Sequence, residues 1–124
     1  MTKTILVVDD VADIRNTIKT ILELEKYKVV TAANGADCLA KLEHTKPHLI
    51  LLDVIMPGLK TREILAEFKN RKLTVPVILM SGSSNQEMRK HAELPKDLAY
   101  PISDFIEKPF DNGDLIARIK KNIK

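Results

Sequence analysis

The residues of this chain that could do chemistry each follow a short apolar segment. They are Asp9, Asp10, Asp53, Ser81 and Lys108. Three carboxylates held close together repel one another, so at least one would take up a proton unless a cation compensated for the charge. A hard divalent ion with oxygen ligands, together with Lys108, would balance the three negative charges. Mg²⁺ is therefore the ion that this set of residues predicts.

A site of this composition suits a phosphoryl group. Phosphoryl oxygens need a metal ion, a cationic side chain and a hydroxyl donor around them, and Lys108 and Ser81 could supply the last two. A carboxylate can act as the nucleophile and form a phosphoryl–enzyme bond. Asp53 is central in chain order and follows the most apolar of the segments, so we predict that it is the nucleophile.

Each of these residues alone also has an ordinary structural explanation. An aspartate after a strand commonly caps the next helix, and a serine there is commonly a turn residue. The argument for a site depends on all of them being at strand ends. In an open α/β sheet, ligands bind outside the carboxyl ends of the strands, so those ends share one edge.

The elements that must position these side chains alternate along the chain. Short apolar runs predict strands at residues 5–8, 27–31, 49–52, 75–80 and 105–106. Helical spacing or helix-start signals predict helices at 11–25, near 39–42, from an N-cap at Thr61, from a capping box at 84–87, and after an N-cap at Asp111. Five strand–helix units predict an α/β fold, a parallel sheet with helices on both faces.

Length and composition fit one domain over residues 1–124. Hydrophobic residues make up 44% and charged residues 30%, and no apolar run is long enough to span a membrane. No secretory signal is evident, so we expect a cytoplasmic protein. Cys38 is the single cysteine and is interpreted as a packing residue. The basic C-terminus suits a helix dipole, so we do not expect nucleic-acid binding.

Four motifs together resemble the receiver domain of bacterial two-component response regulators, and the chain looks most like the single-domain chemotaxis type. The motifs are Val7-Val8-Asp9-Asp10, Leu51-Leu52-Asp53-Val54-Ile55-Met56-Pro57, Met80-Ser81-Gly82 and Phe105-Ile106-Glu107-Lys108-Pro109-Phe110. The resemblance implies a doubly wound, flavodoxin-like (βα)5 fold with strand order 2-1-3-4-5. It also implies phosphorelay signalling by a switch, not by a turnover enzyme.

The resemblance further implies a role for each residue of the motifs. Asp53 would accept phosphate from a histidine kinase or phosphotransfer protein. Mg²⁺ would be bound by Asp10, Asp53 and the backbone carbonyl of Ile55, with Asp9 acting through a water molecule. Ser81 and Lys108 would contact the phosphoryl group. Phe105 would be the switch aromatic, the Lys108–Pro109 peptide would be cis, and an unknown downstream protein would bind the face made by helix 4, strand 5 and helix 5.

The sequence departs from the family pattern in three places. Leu59-Lys60-Thr61 stands where an Asp-Gly pair is usual, so the start of the third helix is hard to predict. The stretch from Ser81 to Lys108 is longer than is usual in the family and contains Pro95 and Pro101. We therefore expect residues 94–101 to form an irregular segment. Ile55 is apolar where a polar residue is common, which predicts a long-lived phosphoryl state.

Three other interpretations remain open from the sequence. An aspartyl-phosphate phosphatase would carry a second aspartate two residues after the nucleophile, where this chain has Ile55. A nucleotide or flavin binder would need a glycine- or hydroxyl-rich loop after the first strand, where this chain has acidic residues. The same chemistry could also belong to a receiver module of a larger regulator or hybrid kinase.

Overall fold

The computed structural model describes residues 2–54, 61–81 and 100–123, with the main chain alone for Ser81. Its elements in chain order are β1 (Thr4–Val8), α1 (Ala12–Leu24), β2 (Lys28–Ala32), α2 (Gly35–Lys41), β3 (Leu49–Asp53), α3 (Thr61–Asn70), β4 (Val77–Ser81), β5 (Ile102–Glu107) and α4 (Asn112–Asn122). The helix predicted from residue 84 and most of the 94–101 segment lie outside the described residues. Within the described part of the chain, no helix is both long and apolar enough to cross a membrane.

The five strands form one parallel sheet in the order β2-β1-β3-β4-β5, which confirms the predicted topology. β1 and β3 are interior strands, and every residue of β3 is buried. This explains their uninterrupted apolar sequences, because a strand covered on both faces has no solvent side. β2 is an edge strand and more polar, as its sequence predicted.

Helices cover both faces of the sheet and define two hydrophobic clusters. One cluster joins alternate residues of β1 and β3, such as Leu6 and Ile50, to Phe68 of α3 and Cys38 of α2. The other joins the intervening strand residues to side chains of α1 and α4: Ile5, Val7, Leu49, Leu51, Ile18, Leu22, Leu115 and Ile119. Successive strand residues point to opposite faces of the sheet, so one part of the core packs against α2 and α3 and the other against α1 and α4.

Cys38 lies wholly inside the first cluster. Its burial is the main reason why the pKa of its thiol rises to about 12, so the neutral form dominates. A neutral, inaccessible thiol is a poor nucleophile and metal ligand. This environment agrees with the prediction that Cys38 is a packing residue.

Two residues that the sequence singles out as helix caps make side-chain hydrogen bonds in the structure. Asp111 caps α4, and its Oδ1 accepts a hydrogen bond of 2.7 Å from the Gly113 N–H. Thr61, the predicted N-cap of the third helix, is the first described residue of α3, and its hydroxyl donates to the Val54 carbonyl at 2.9 Å. Thr61 therefore fastens α3 to the chain that follows β3.

β5 begins earlier than the sequence indicated, at Ile102 instead of near Phe105. The preceding Tyr100 is buried, and its hydroxyl donates to the Val75 carbonyl. Its ring meets Phe68 edge-on at a centroid distance of 5.7 Å. These contacts anchor the start of β5 against α3 and the residues that precede β4.

Candidate functional site

The carboxyl ends of β1 and β3 position the buried aspartates. Asp9 continues the pairing of β1 with β2, since its N–H donates to the Ala32 carbonyl at 3.1 Å. Asp53 is the last residue of β3, and the next N–H, that of Val54, donates to the Met80 carbonyl at 2.9 Å. The main chain at both aspartates is therefore held by the sheet.

Three carboxylates converge at this edge as the sequence predicted. One oxygen from each of Asp9, Asp10 and Asp53 lies within 4.8 Å of the other two. Asp9 is 0% exposed and Asp53 is 4% exposed, whereas Asp10 faces solvent. Two of the three charges are thus withdrawn from water, which makes a compensating cation necessary.

Lys108 supplies part of that compensation from the chain after β5. Its Nζ lies 2.6 Å from Asp9 Oδ2 and 3.3 Å from Asp53 Oδ2. Its side chain is 16% exposed, so these contacts are little screened by water. Three carboxylates and one ammonium leave two formal negative charges at the site.

Asp9 is also fixed by bonds that the sequence did not reveal. Its Oδ1 accepts from the Val11 N–H at 2.9 Å, and its carbonyl accepts from Arg15 Nη1 at 2.7 Å. Arg15 lies on α1, so the helix that follows β1 reaches back to the acidic cluster. The sequence signal for Arg15 is its place in the predicted helix 11–25, five residues after Asp10.

The remaining predicted residues are described to different extents. Ser81 ends β4, and its main chain pairs with Glu107, but its side chain and the whole of Ile55 lie outside the described part of the structure. Phe105 lies on β5, pairs with Leu79 and is partly buried against the first core cluster. The Lys108–Pro109 peptide is cis, which confirms the expectation drawn from the resemblance.

The chain belongs to the response regulator receiver domain family, whose pattern matches residues 5–120. Members of this family are phosphoacceptor switches of two-component signalling. They interact with histidine kinases or phosphotransfer proteins and with downstream effectors. The prediction of the family is therefore confirmed, whereas the single-domain chemotaxis type stays a prediction.

Known proteins and structures support this membership. The alkaline phosphatase synthesis transcriptional regulatory protein PhoP of Bacillus subtilis is 35% identical over 122 residues, which cover 97% of this chain and 48% of that protein. The chain spans about half the length of the curated relatives that it matches.

Two solved structures show the same fold. Chemotaxis protein CheY4 of Vibrio cholerae superposes with a TM-score of 0.86 at 22% identity, over 99% of this chain and 100% of that one. The response regulator TrrA of Thermotoga maritima, in complex with Mg(2+)-BeF, gives a TM-score of 0.80 at 29% identity, over 98% and 100% of the two chains.

Proposed function

We propose that this receiver domain, residues 1–124, accepts a phosphoryl group on Asp53 from a histidine kinase or phosphotransfer protein. The observation that carries the proposal is the convergence of Asp9, Asp10 and Asp53 within 4.8 Å, with Lys108 in contact with two of them. A capping or purely structural role for these aspartates gives no reason for three carboxylates to gather at one edge of the sheet.

The acidic cluster fits a magnesium ion in composition and in size. Mg²⁺ prefers oxygen ligands at about 2.0–2.1 Å, so oxygens on opposite sides of the ion are about 4.2 Å apart. The carboxylate oxygens all lie within 4.8 Å of one another, a separation comparable with that value. We propose that Asp10, Asp53 and the predicted Ile55 carbonyl would hold the ion, with Asp9 acting through a water molecule.

When bound, the ion would supply the two positive charges that the cluster lacks and would attract the phosphoryl oxygens. The remaining chemistry belongs to the side chains. An oxygen of Asp53 attacks the phosphorus, and an oxygen–phosphorus bond forms. The bond from phosphorus to the donor histidine nitrogen breaks, and its electron pair stays on that nitrogen. Lys108, 3.3 Å from Asp53 Oδ2, is close enough to pair with the transferred oxygens.

The transferred group would then act as the switch ligand. We propose that the Ser81 hydroxyl and Lys108 bind it in one arrangement of the surrounding loops and so shift the population toward that arrangement. Phe105, three residues before Lys108 on β5, would change its side-chain position in the same step. The downstream protein would bind the surface made by the predicted fourth helix, β5 and α4.

The relatives favour a second biological context for the same chemistry. They include a transcriptional regulatory protein about twice as long as this chain, of which this chain matches about half. In that context the switch would act on a further domain of the same protein. That domain would either replace a separate target protein or act in addition to it. Both contexts require the same acceptor, so the chemical test comes first.

The proposal is tested by incubating the chain with a small phosphodonor such as acetyl phosphate and measuring its intact mass. We expect a gain of one phosphoryl group with Mg²⁺ and no gain with a chelator present. Asp53→Asn, which keeps the side-chain shape, should gain nothing. Asp13→Asn is the matched control because Asp13 is exposed on α1 and outside the acidic cluster, and it should behave like the native chain. Equal gain in Asp53→Asn and the native chain would overturn the proposal.

A further inference from the structure

β5 is an edge strand with an irregularity shortly before Phe105. Val77 pairs with Ile102 and Ile78 pairs with Asp104, so Ser103 is an extra residue without an opposite partner. A bulge of this kind turns the side chains that follow it and is common beside functional sites. Asp104 is the first residue after this bulge.

Asp104 and Arg118 bind both polar main-chain groups of Phe105. Asp104 Oδ1 accepts from the Phe105 N–H at 2.8 Å, and the Phe105 carbonyl accepts from Arg118 Nη1 at 2.9 Å. Arg118 Nη1 also lies 2.8 Å from Asp104 Oδ1, which closes the set of bonds. An edge strand leaves such groups without a strand partner on one side, and here side chains bind them.

Arg118 lies on α4 and links this set of bonds to a third residue, Asn122. Arg118 and Asn122 are one turn apart on α4, and Asn122 Nδ2 donates to Asp104 Oδ2 at 3.1 Å and to the Arg118 carbonyl at 2.7 Å. Burial alone would raise the pKa of Asp104. The bonds from Phe105 and Asn122 and the charges of Arg118 and Lys121 outweigh it, so the pKa is lowered. Asp104 is thus ionised at neutral pH and attracts Arg118.

We infer that Asp104, Arg118 and Asn122, here called the β5–α4 clamp, are positioning residues that make Phe105 and the C-terminal helix move together. A change at Phe105 shifts its main chain, which moves the clamp and then α4. By reciprocity, a partner that binds one arrangement of α4 shifts the equilibrium for binding of a phosphoryl mimic by the same factor by which the mimic changes the affinity for that partner. The inference rests on the proposed function, because Phe105 responds only if Asp53 carries a phosphoryl group or a mimic of it.

The chain offers a matched control for the clamp. Arg118 Nε also contacts both carboxylate oxygens of Asp114 at 3.1 Å, on the more exposed side of α4. Asp114→Asn weakens that ion pair without removing any bond to Asp104 or Phe105. Arg118→Met breaks the clamp and keeps the aliphatic part of the side chain. Asp104→Asn keeps the shape and removes the charge, so it serves if Arg118→Met fails to fold.

The experiment adds Mg²⁺ and beryllofluoride, a phosphoryl mimic, and follows two signals. Isotope-labelled phenylalanine gives a ring resonance for each of the three Phe residues, and hydrogen exchange reports on amides of residues 112–122. In the native chain and in Asp114→Asn we expect the Phe105 resonance and the helix amides to change together. In Arg118→Met and Asp104→Asn the Phe105 resonance should still respond, while the change in helix exchange falls at least about threefold.

The possible outcomes separate this inference from the proposed function. Full transmission to the helix in both clamp variants would overturn the inference and leave the proposed function intact. Loss of transmission in Asp114→Asn as well would also overturn it, since the effect would then belong to α4 in general. No response of the native chain to beryllofluoride would overturn the proposed function, and the inference with it.

Discussion

Lys108 offsets part of the charge of the acidic cluster even without a metal. It contacts Asp9, which is wholly buried, and Asp53, which is nearly so. A buried charge that loses its partner destabilises the folded state. This destabilisation is larger than the net stability that the intact ion pair contributes. Removal of Lys108 therefore has a larger effect on stability than an ordinary surface lysine would have.

We predict that Lys108→Met lowers the free energy of unfolding by about 3 kcal/mol in the absence of divalent ions. The domain should still fold, because a typical total stability is about 5–15 kcal/mol. Saturating Mg²⁺ should recover part of the loss, since an ion that binds only the folded state stabilises it. Urea unfolding with and without Mg²⁺ measures both effects.

Lys120→Met is the control for this experiment. Lys120 is 59% exposed and approaches Glu25 only at 3.9 Å, so its replacement should change stability by less than about 0.5 kcal/mol. If Lys108→Met were as mild as Lys120→Met, the Lys108 contacts would not carry the charge balance described here.

Asp104 gives a prediction for pH. Its pKa is lowered in the folded chain from the usual value of 3.8, so the unfolded state binds a proton more readily. The stability that Asp104 contributes is fully present above that value and is lost as the pH falls through the lower, folded pKa. Asp104→Asn should therefore have a shallower loss of stability below about pH 4. Unfolding curves from pH 7 to pH 2 measure it, and parallel native and variant profiles would contradict it.

At the scale of elements, two helices end in the same way on lysine residues. Lys26 and Lys72 follow α1 and α3 with φ angles of 72° and 58°. Around Lys72, the Leu73 N–H donates to the Phe68 carbonyl at 3.1 Å and the Lys72 N–H to the Lys69 carbonyl at 3.0 Å. This is the Schellman pattern, in which glycine is the favoured residue because it has no Cβ to clash.

We predict that Lys72→Gly raises the free energy of unfolding by about 0.5–1 kcal/mol, because relief of the left-handed strain exceeds the added flexibility of the unfolded chain. Lys69→Gly, in the last turn of the same helix and also exposed, should lower it by a similar amount. Thermal unfolding of the two variants measures the difference. A destabilised Lys72→Gly would show that the lysine side chain stabilises this helix end in some other way.

At the scale of the whole molecule, periodicity was enough to predict the fold class and the edge that carries the site. The apolar runs of β1 and β3 form interior strands, and the aspartates at the ends of these runs meet at one edge. Strand order came from the resemblance and is confirmed. Element boundaries were less accurate, because the start of β5 depends on Tyr100 and its contacts with Val75 and Phe68, which leave no periodic signal.

The contacts that support the site could not be predicted from the sequence. Arg15 on the Asp9 carbonyl, Thr61 on the Val54 carbonyl and the clamp at Phe105 are single side-chain bonds between distant elements. The energy of such bonds depends on the exact approach of two elements, and many sequences with the same hydrophobic pattern would place them differently. The cytoplasmic location and the downstream target also stay predictions.

The measurement that tests the central claim most directly is the position of the phosphoryl group on the chain. After reaction with acetyl phosphate and Mg²⁺, borohydride reduces an aspartyl phosphate to homoserine, and trypsin then separates the candidates. Asp53 lies in the peptide 42–60, whereas Asp9 and Asp10 lie in the peptide 4–15. We predict homoserine at position 53 alone, and none when Mg²⁺ is removed. Homoserine at position 9 or 10, or none at position 53 under full reaction conditions, would contradict the claim.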